Sequence, residues 1–194
     1  MTRLLLALRQ ATPDERDVIL ELLGESIRWL RRMSIDQWAT PWPDEERRNE
    51  RITQNLAEGK TWLVLDGAAV AGTITVDPTD SGIWPADRRA EKAVYVRKVI
   101  VGRQYAGLGL GARLFDWAAD MAVHGYGARW IRVDVWTTNQ RLHAYYRRLG
   151  FRFRDLADDP DYPSRALFER STDRRLYNYQ TVLRPAAPLA QPHR

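Results

Sequence analysis

Gly107, Gly109 and Gly111 alternate within the turn Gly102-Arg103-Gln104-Tyr105-Ala106-Gly107-Leu108-Gly109-Leu110-Gly111-Ala112. Glycines at this spacing let backbone N–H groups approach an anion with no side chain in the way, and a helix starting there adds its positive end. A pyrophosphate is the ligand such a turn suits. A tight turn that binds nothing would use the same glycines, so the loop alone does not decide. A second group of residues lies downstream at Asn139, Tyr146 and Arg148, followed by Leu149-Gly150-Phe151. Tyr146 falls two helical turns after Asn139, and a phenol there either donates a proton or packs.

Both groups need strands and helices to hold them. Before the glycine turn, Ala93 to Val101 is a β-branched strand ending in Val99-Ile100-Val101. After it, Leu110, Leu114, Trp117, Ala118 and Met121 recur at helical spacing, and Gly125 and Gly127 stop the helix. Trp130 to Trp136 reads as a strand. Asn139 then opens a short helix with Leu142, Tyr145, Tyr146 and Leu149 on one face, closed by Gly150. Upstream, residues 3–9 form a first strand, and Thr12-Pro13-Asp14-Glu15 starts a helix. A second helical stretch from Ser26 breaks at Trp38-Ala39-Thr40-Pro41-Trp42-Pro43 and resumes from Glu45 to Leu56. Thr61 to Leu65 and Val70 to Val76 flank Asp66-Gly67 as a hairpin. Residues 77–92 and 155–175 are connections, while 151–153 and 176–183 are the last strands. These elements predict an α/β (mixed) fold: a mixed, mainly antiparallel six- to seven-stranded sheet with helices on both faces. A single domain over 1–183 and a Pro-rich disordered tail over 184–194 are expected.

Cysteine is missing altogether, which excludes disulfides, thiolate metal sites and a cysteine nucleophile, and fits a reducing, cytoplasmic setting. The apolar run Leu4 to Leu8 is too short for a signal peptide, and no segment reaches membrane-spanning length. The formal charge of +5 comes mostly from arginine, including pairs scattered along the chain. Scattered pairs describe a solvated surface, whereas a nucleic-acid groove would gather them with aromatics on one face. Neither nucleic acid nor membrane is expected as a partner; a homodimer is compatible with the sequence.

The strand end, the turn and the helix resemble motif A of the GNAT acetyltransferase superfamily, R/Q-x-x-G-x-G/A, with Gly109 and Gly111 as its two glycines. Ala106 stands where that pattern has arginine or glutamine. The frame Gln104 to Gly109 restores the glutamine but shortens the connection to the strand. Asn139 and Tyr146, with the basic-x-G-F run after them, resemble a second motif of the same family, in the right order and at a plausible separation. The resemblance covers 93–153 and thins towards both ends.

What the resemblance implies is an N-acetyltransferase with acetyl-CoA as donor substrate and no metal. Cofactor-binding residues would be Val99, Ile100, Val101, Ala106, Gly107, Leu108, Gly109, Leu110, Gly111, Ala112, Asn139, Tyr146 and Arg148. The loop amides would hold the pyrophosphate and Asn139 the pantetheine arm, and Arg148 would add a phosphate contact. A backbone N–H from Val99 to Val101 would face the thioester oxygen, and Tyr146 would protonate the departing thiolate, leaving Tyr145 to pack. The acceptor would be a small-molecule amine, attacking directly. Asp134, Glu25, Asp36, Asp77 and Glu91 are candidate bases. Trp29, Trp38, Trp42 and Trp84 could wall the acceptor site, with Asp77, Asp80 and Asp87 drawing in a cationic amine. Three alternatives stay open. One is acetylation of a peptide or protein amine; another is a non-catalytic binding module. The third is an NAD(P)-dependent oxidoreductase, because Gly107-x-Gly109-x-x-Ala112 also satisfies a dinucleotide fingerprint.

Overall fold

A computed structural model describes residues 5–80 and 82–185. Beyond Pro185 the tail expected from 184 onward lies outside the described residues, as do Arg3 and Leu4 of the first predicted strand. Among the described residues eight strands form one sheet, against the six to seven expected: β1 (Leu6–Gln10), β2 (Thr61–Asp66), β3 (Ala69–Asp77), β4 (Ala93–Val101), β5 (Trp130–Val135), β6 (Arg152–Leu156), β7 (Ala166–Ser171) and β8 (Leu183–Pro185). Their spatial order is β6-β7-β5-β4-β3-β2-β1-β8. Only β4 with β5 and β1 with β8 run parallel; the other pairs are antiparallel.

Helices cover both faces because successive strand residues point to opposite sides. On one face, α1 (Arg16–Arg32) and α2 (Glu45–Ala57) bury Ile19, Leu22, Leu23, Ile52 and Leu56 against Leu63 and Ile100. On the other, α4 (Leu110–Tyr126) and α5 (Gln140–Arg148), with Leu114, Phe115, Leu142 and Tyr146, pack on Val64, Ile74, Val94 and Ile131. The remaining helix, α3 (Ala86–Arg89), is one turn in the connection before β4.

Two expectations need correction. Residues 16–32 make one helix, with no break before Ser26. The strand placed at 176–183 is instead irregular chain and a short 3-10 turn up to Thr181, and a strand occupies 166–171, inside the stretch read as a connection. Its disguise is electrostatic. Glu169 and Arg170 are each 1% exposed, so charges sit where a buried strand should show apolar residues. Both are compensated: Glu169 by Arg132 and Arg154, Arg170 by Asp116.

Candidate active site

The pair β4 and β5 opens the site. They are in register only at Ala93↔Trp130, Val94↔Ile131 and Tyr95↔Arg132, and run on unpaired beyond these positions. At the other edge of β4 the ladder to β3 slips. Thr73 faces Ile100 and Thr75 faces Arg97, so Ile74 alone stands opposite Lys98 and Val99. A bulge of this kind takes a backbone amide out of the ladder and bends the strand. Lys98 makes the bend with φ of +47°, a left-handed conformation unusual for a side chain of this type.

A cavity of about 870 Å³ opens onto the bulge. Lys98, Val99, Val135, Trp136, Leu142 and Tyr146 line it from the strands and α5; Trp38, Pro41, Trp42, Arg48 and Arg51 line it from α2 and the connection before it. Asp77, Asp80, Arg97, Asp134 and Tyr162 complete the polar wall. Tyr146 packs its ring edge-on to Phe115 at 5.6 Å and Phe151 at 5.3 Å, and its hydroxyl has no hydrogen-bond partner among the described residues. Burial, then Tyr145 and Asp134, push this phenol above its ordinary value, so it stays protonated.

The glycine loop lies outside the lining of that cavity, at the start of α4. Gly102 anchors it through its N–H to the carbonyl of Ala71 at 2.9 Å, and the Tyr105 hydroxyl donates to Asp66 at 3.0 Å. Gly107 has φ of +82°, and a Cβ there would meet nothing within 4 Å. Gly109 caps α4 at φ of +67° with no side-chain bond, so the amides of Leu110, Gly111 and Ala112 lack an intrahelical acceptor. A Cβ on Gly111 would stand 2.8 Å from the Tyr145 hydroxyl, which places that tyrosine against the first turn of the helix. Sequence reasoning overlooked Arg113, whose guanidinium donates to the carbonyls of Leu108 at 3.3 Å and Gly109 at 3.4 Å. Its position four residues after Gly109 was the available signal.

Other predicted residues divide. Asn139 is 8% exposed; its oxygen accepts the Leu142 N–H at 3.0 Å, capping α5, and its amide donates to Gln37 at 2.7 Å. One amide hydrogen and one lone pair remain. Arg148 is exposed beside the Tyr145 ring, and Ile100 is buried beneath α1 and α2 rather than facing the cavity. Ala106 and Leu108 are exposed on the loop. The aromatic wall contracts to Trp38 and Trp42: Trp84 is 2% exposed in a separate core with Tyr95, and Trp29 stacks on Arg103 at 4.0 Å. Asp87 is exposed and does not line the cavity.

Among the candidate bases, Asp134 accepts the Tyr162 hydroxyl and faces Arg97, and Asp77 bridges Lys60 and Arg97. Asp36 accepts from Trp136 at 3.0 Å and Thr138 at 2.8 Å, tying the connection before α2 to the end of β5. Glu25 and Glu91 stand outside the cavity lining. No group of His, Asp or Glu among the described residues is arranged to hold a metal ion, and no helix there is long and apolar enough to cross a membrane.

Residues 27–151 match the acetyltransferase (GNAT) family. The chain is 28% identical over 147 residues to the uncharacterised N-acetyltransferase YesJ of Bacillus subtilis, spanning 74% of this chain and 79% of that protein. A GNAT-family acetyltransferase of Listeria monocytogenes superposes with a TM-score of 0.64 at 25% identity, covering 84% of this chain and 93% of its own. The PaiA N-acetyltransferase of Thermoplasma acidophilum, solved in complex with coenzyme A, has the same fold at a TM-score of 0.64 and 14% identity, over 86% of this chain and 98% of that one.

Proposed function

The chain belongs to the GNAT acetyltransferase family and is an N-acetyltransferase; from that premise we propose that it moves the acetyl group of acetyl-CoA to a primary amine of a small molecule by direct attack. The observation that carries this reading is the parting of β4 and β5 beyond Tyr95, close to the Lys98–Val99 bulge on the β3 side of the same strand. The cavity is lined by Val99 and Tyr146 there, and the glycine loop follows directly on the end of β4. A volume of about 870 Å³ falls within the range of roughly 300–1,000 Å³ usual for small-molecule sites. Coenzyme A bound to PaiA on the same fold supports the choice of donor.

The residues fit that donor. Unpaired amides at Leu110, Gly111 and Ala112 offer donors to its pyrophosphate, with Arg113 and Arg148 as cations beside the loop. The remaining hydrogen and lone pair of Asn139 suit an amide of the pantetheine arm. A backbone N–H at Val99 polarises the carbonyl under attack. The amine nitrogen forms its bond to the carbonyl carbon, the carbon–sulfur bond breaks as the Tyr146 hydroxyl gives its proton to the departing sulfur, and the proton lost by the nitrogen passes to solvent, from which the Tyr146 phenolate is reprotonated. Burial raises this phenol above its ordinary value, so its proton is present when the sulfur departs. The single domain and cytoplasmic setting expected from the sequence are part of the same reading.

Calorimetric titration with acetyl-CoA, with NADH and NADPH run alongside, is the direct test. Acetyl-CoA alone should bind, and preference for a nicotinamide cofactor would reverse the assignment. Gly109→Ala should weaken acetyl-CoA binding about tenfold, because alanine at φ of +67° is strained by about 1–3 kcal/mol and its Cβ would press on Arg113 at 2.7 Å. Gly67→Ala is the control. It has a similar φ of +59° in the β2–β3 hairpin with nothing near its Cβ, and it should leave binding unchanged.

A further inference from the structure

The cavity holds five cations and four carboxylates, and their pairing is uneven. Lys60 is matched by Glu58 and Asp77, Arg97 by Asp77 and Asp134, and Arg48 by Glu45. Arg51 has no carboxylate partner among the described residues; it donates to the carbonyl of Trp42 and lies 5.7 Å over that ring. Lys98 has neither a hydrogen bond nor an ion pair among them. On the acidic side, the one buried carboxylate oxygen without a partner among the described residues is Oδ1 of Asp80, whose other oxygen is taken by Gly82 and Arg89. Uncompensated positive charge therefore exceeds uncompensated negative charge, and the expectation that aspartates draw in a cationic amine is reversed at Asp77, which is neutralised from two sides.

We infer that the acceptor is an amine that also carries an acidic group, a carboxylate or a phosphate, bound between Arg51 and Lys98; this rests on the acetyltransferase reading of the same site. A guanidinium fork with an ammonium beside it suits either oxyanion. Burial first, then the neighbouring Arg51 and Arg97, bring the Lys98 ammonium down to about 8, with Arg48 adding to and Asp134 opposing that repulsion. Tyr146 and Tyr162 also face this space, and both burial-raised phenols stay neutral. An oxyanion there relieves the crowding of like charge.

Thiol release should be measured with matched amines: amino acids, their amides, their decarboxylated counterparts, aminoalkyl phosphates and spermidine. At least a tenfold preference in kcat/KM is expected for the carboxylates or for the phosphates, and whichever prevails identifies the oxyanion. Arg51→Met and Lys98→Met should each bring the acid-to-amide ratio towards one while acetyl-CoA affinity stays the same. The acid acceptor's KM should rise from pH 7 to pH 9 in the natural protein, as Lys98 loses its charge, and much less in Lys98→Met. With acetyl-CoA bound, preference for amides or polyamines, no turnover of any acid, or an unchanged ratio in both variants overturns this inference alone. Failure to bind acetyl-CoA overturns the reading beneath it.

Discussion

Tyr146→Phe is expected to lower kcat about 10²-fold or more and to leave acetyl-CoA affinity and Tm nearly unchanged, since positioned proton donors contribute roughly 10²–10⁴. The separation follows from the packing. The ring is held by Phe115, Phe151 and Phe168, contacts that phenylalanine keeps. The hydroxyl has no partner among the described residues, so removing it breaks no bond in the free protein. What disappears is a hydroxyl donor in the wall of the cavity that Val99 also lines. Steady-state kinetics with a calorimetric titration of each protein separates the two effects. Full turnover in the variant would remove the acid role and leave Tyr146 as a core aromatic, while a fall in affinity with unchanged kcat would make it a binding residue.

How far this site can be read from the chain depends on the range of the forces that build it. The glycine loop and α4 are local: strand, turn and N-cap follow one another from Ala93 to Gly109, and each signal names its element. Asn139 and Tyr146 likewise share one short helix. The acceptor side is assembled from α2, β3, β4, β5 and the 162–164 connection, which only the folded sheet brings together. Nothing local separates Trp38, which lines the cavity, from Trp84, which fills a core under Arg132. The bulge is hidden too. Ala93 to Val101 reads as one uninterrupted strand, and the hint is Arg97-Lys98, adjacent cations that a regular strand would send to opposite faces. With Lys98 in the left-handed region both reach the same cavity. In β7 the same blindness has an electrostatic cause: a buried Glu169-Arg170 looks like surface until Arg132, Arg154 and Asp116 are placed around it.

That buried charge is also where stability is most exposed to mutation. Asp116 and Arg170 are both wholly buried, 2.9 Å apart, and Asp116 further accepts the N–H groups of Leu176 at 2.9 Å and Tyr177 at 2.6 Å. One carboxylate thus ties α4 to β7 and to the chain leading to β8. Arg170 spends its other donors on the carbonyls of Leu149 at 3.2 Å and Phe115 at 2.9 Å, and its Nε has no partner. In Asp116→Ala the guanidinium would stay buried without its counter-charge, and two backbone amides would lose their acceptor. Breaking a buried pair from one side costs about 3–5 kcal/mol, which for a chain of this size lowers Tm by roughly 10 °C. Urea unfolding should show the loss as a lower midpoint. Removing the cation as well, in Asp116→Leu with Arg170→Met, should recover more than half of it, because hydrophobic replacement of a buried pair is often close to neutral. A loss below about 1 kcal/mol in the single variant would mean that neither the ion pair nor the amide bonds carry the connection, and no recovery in the double one would assign it to the backbone amides.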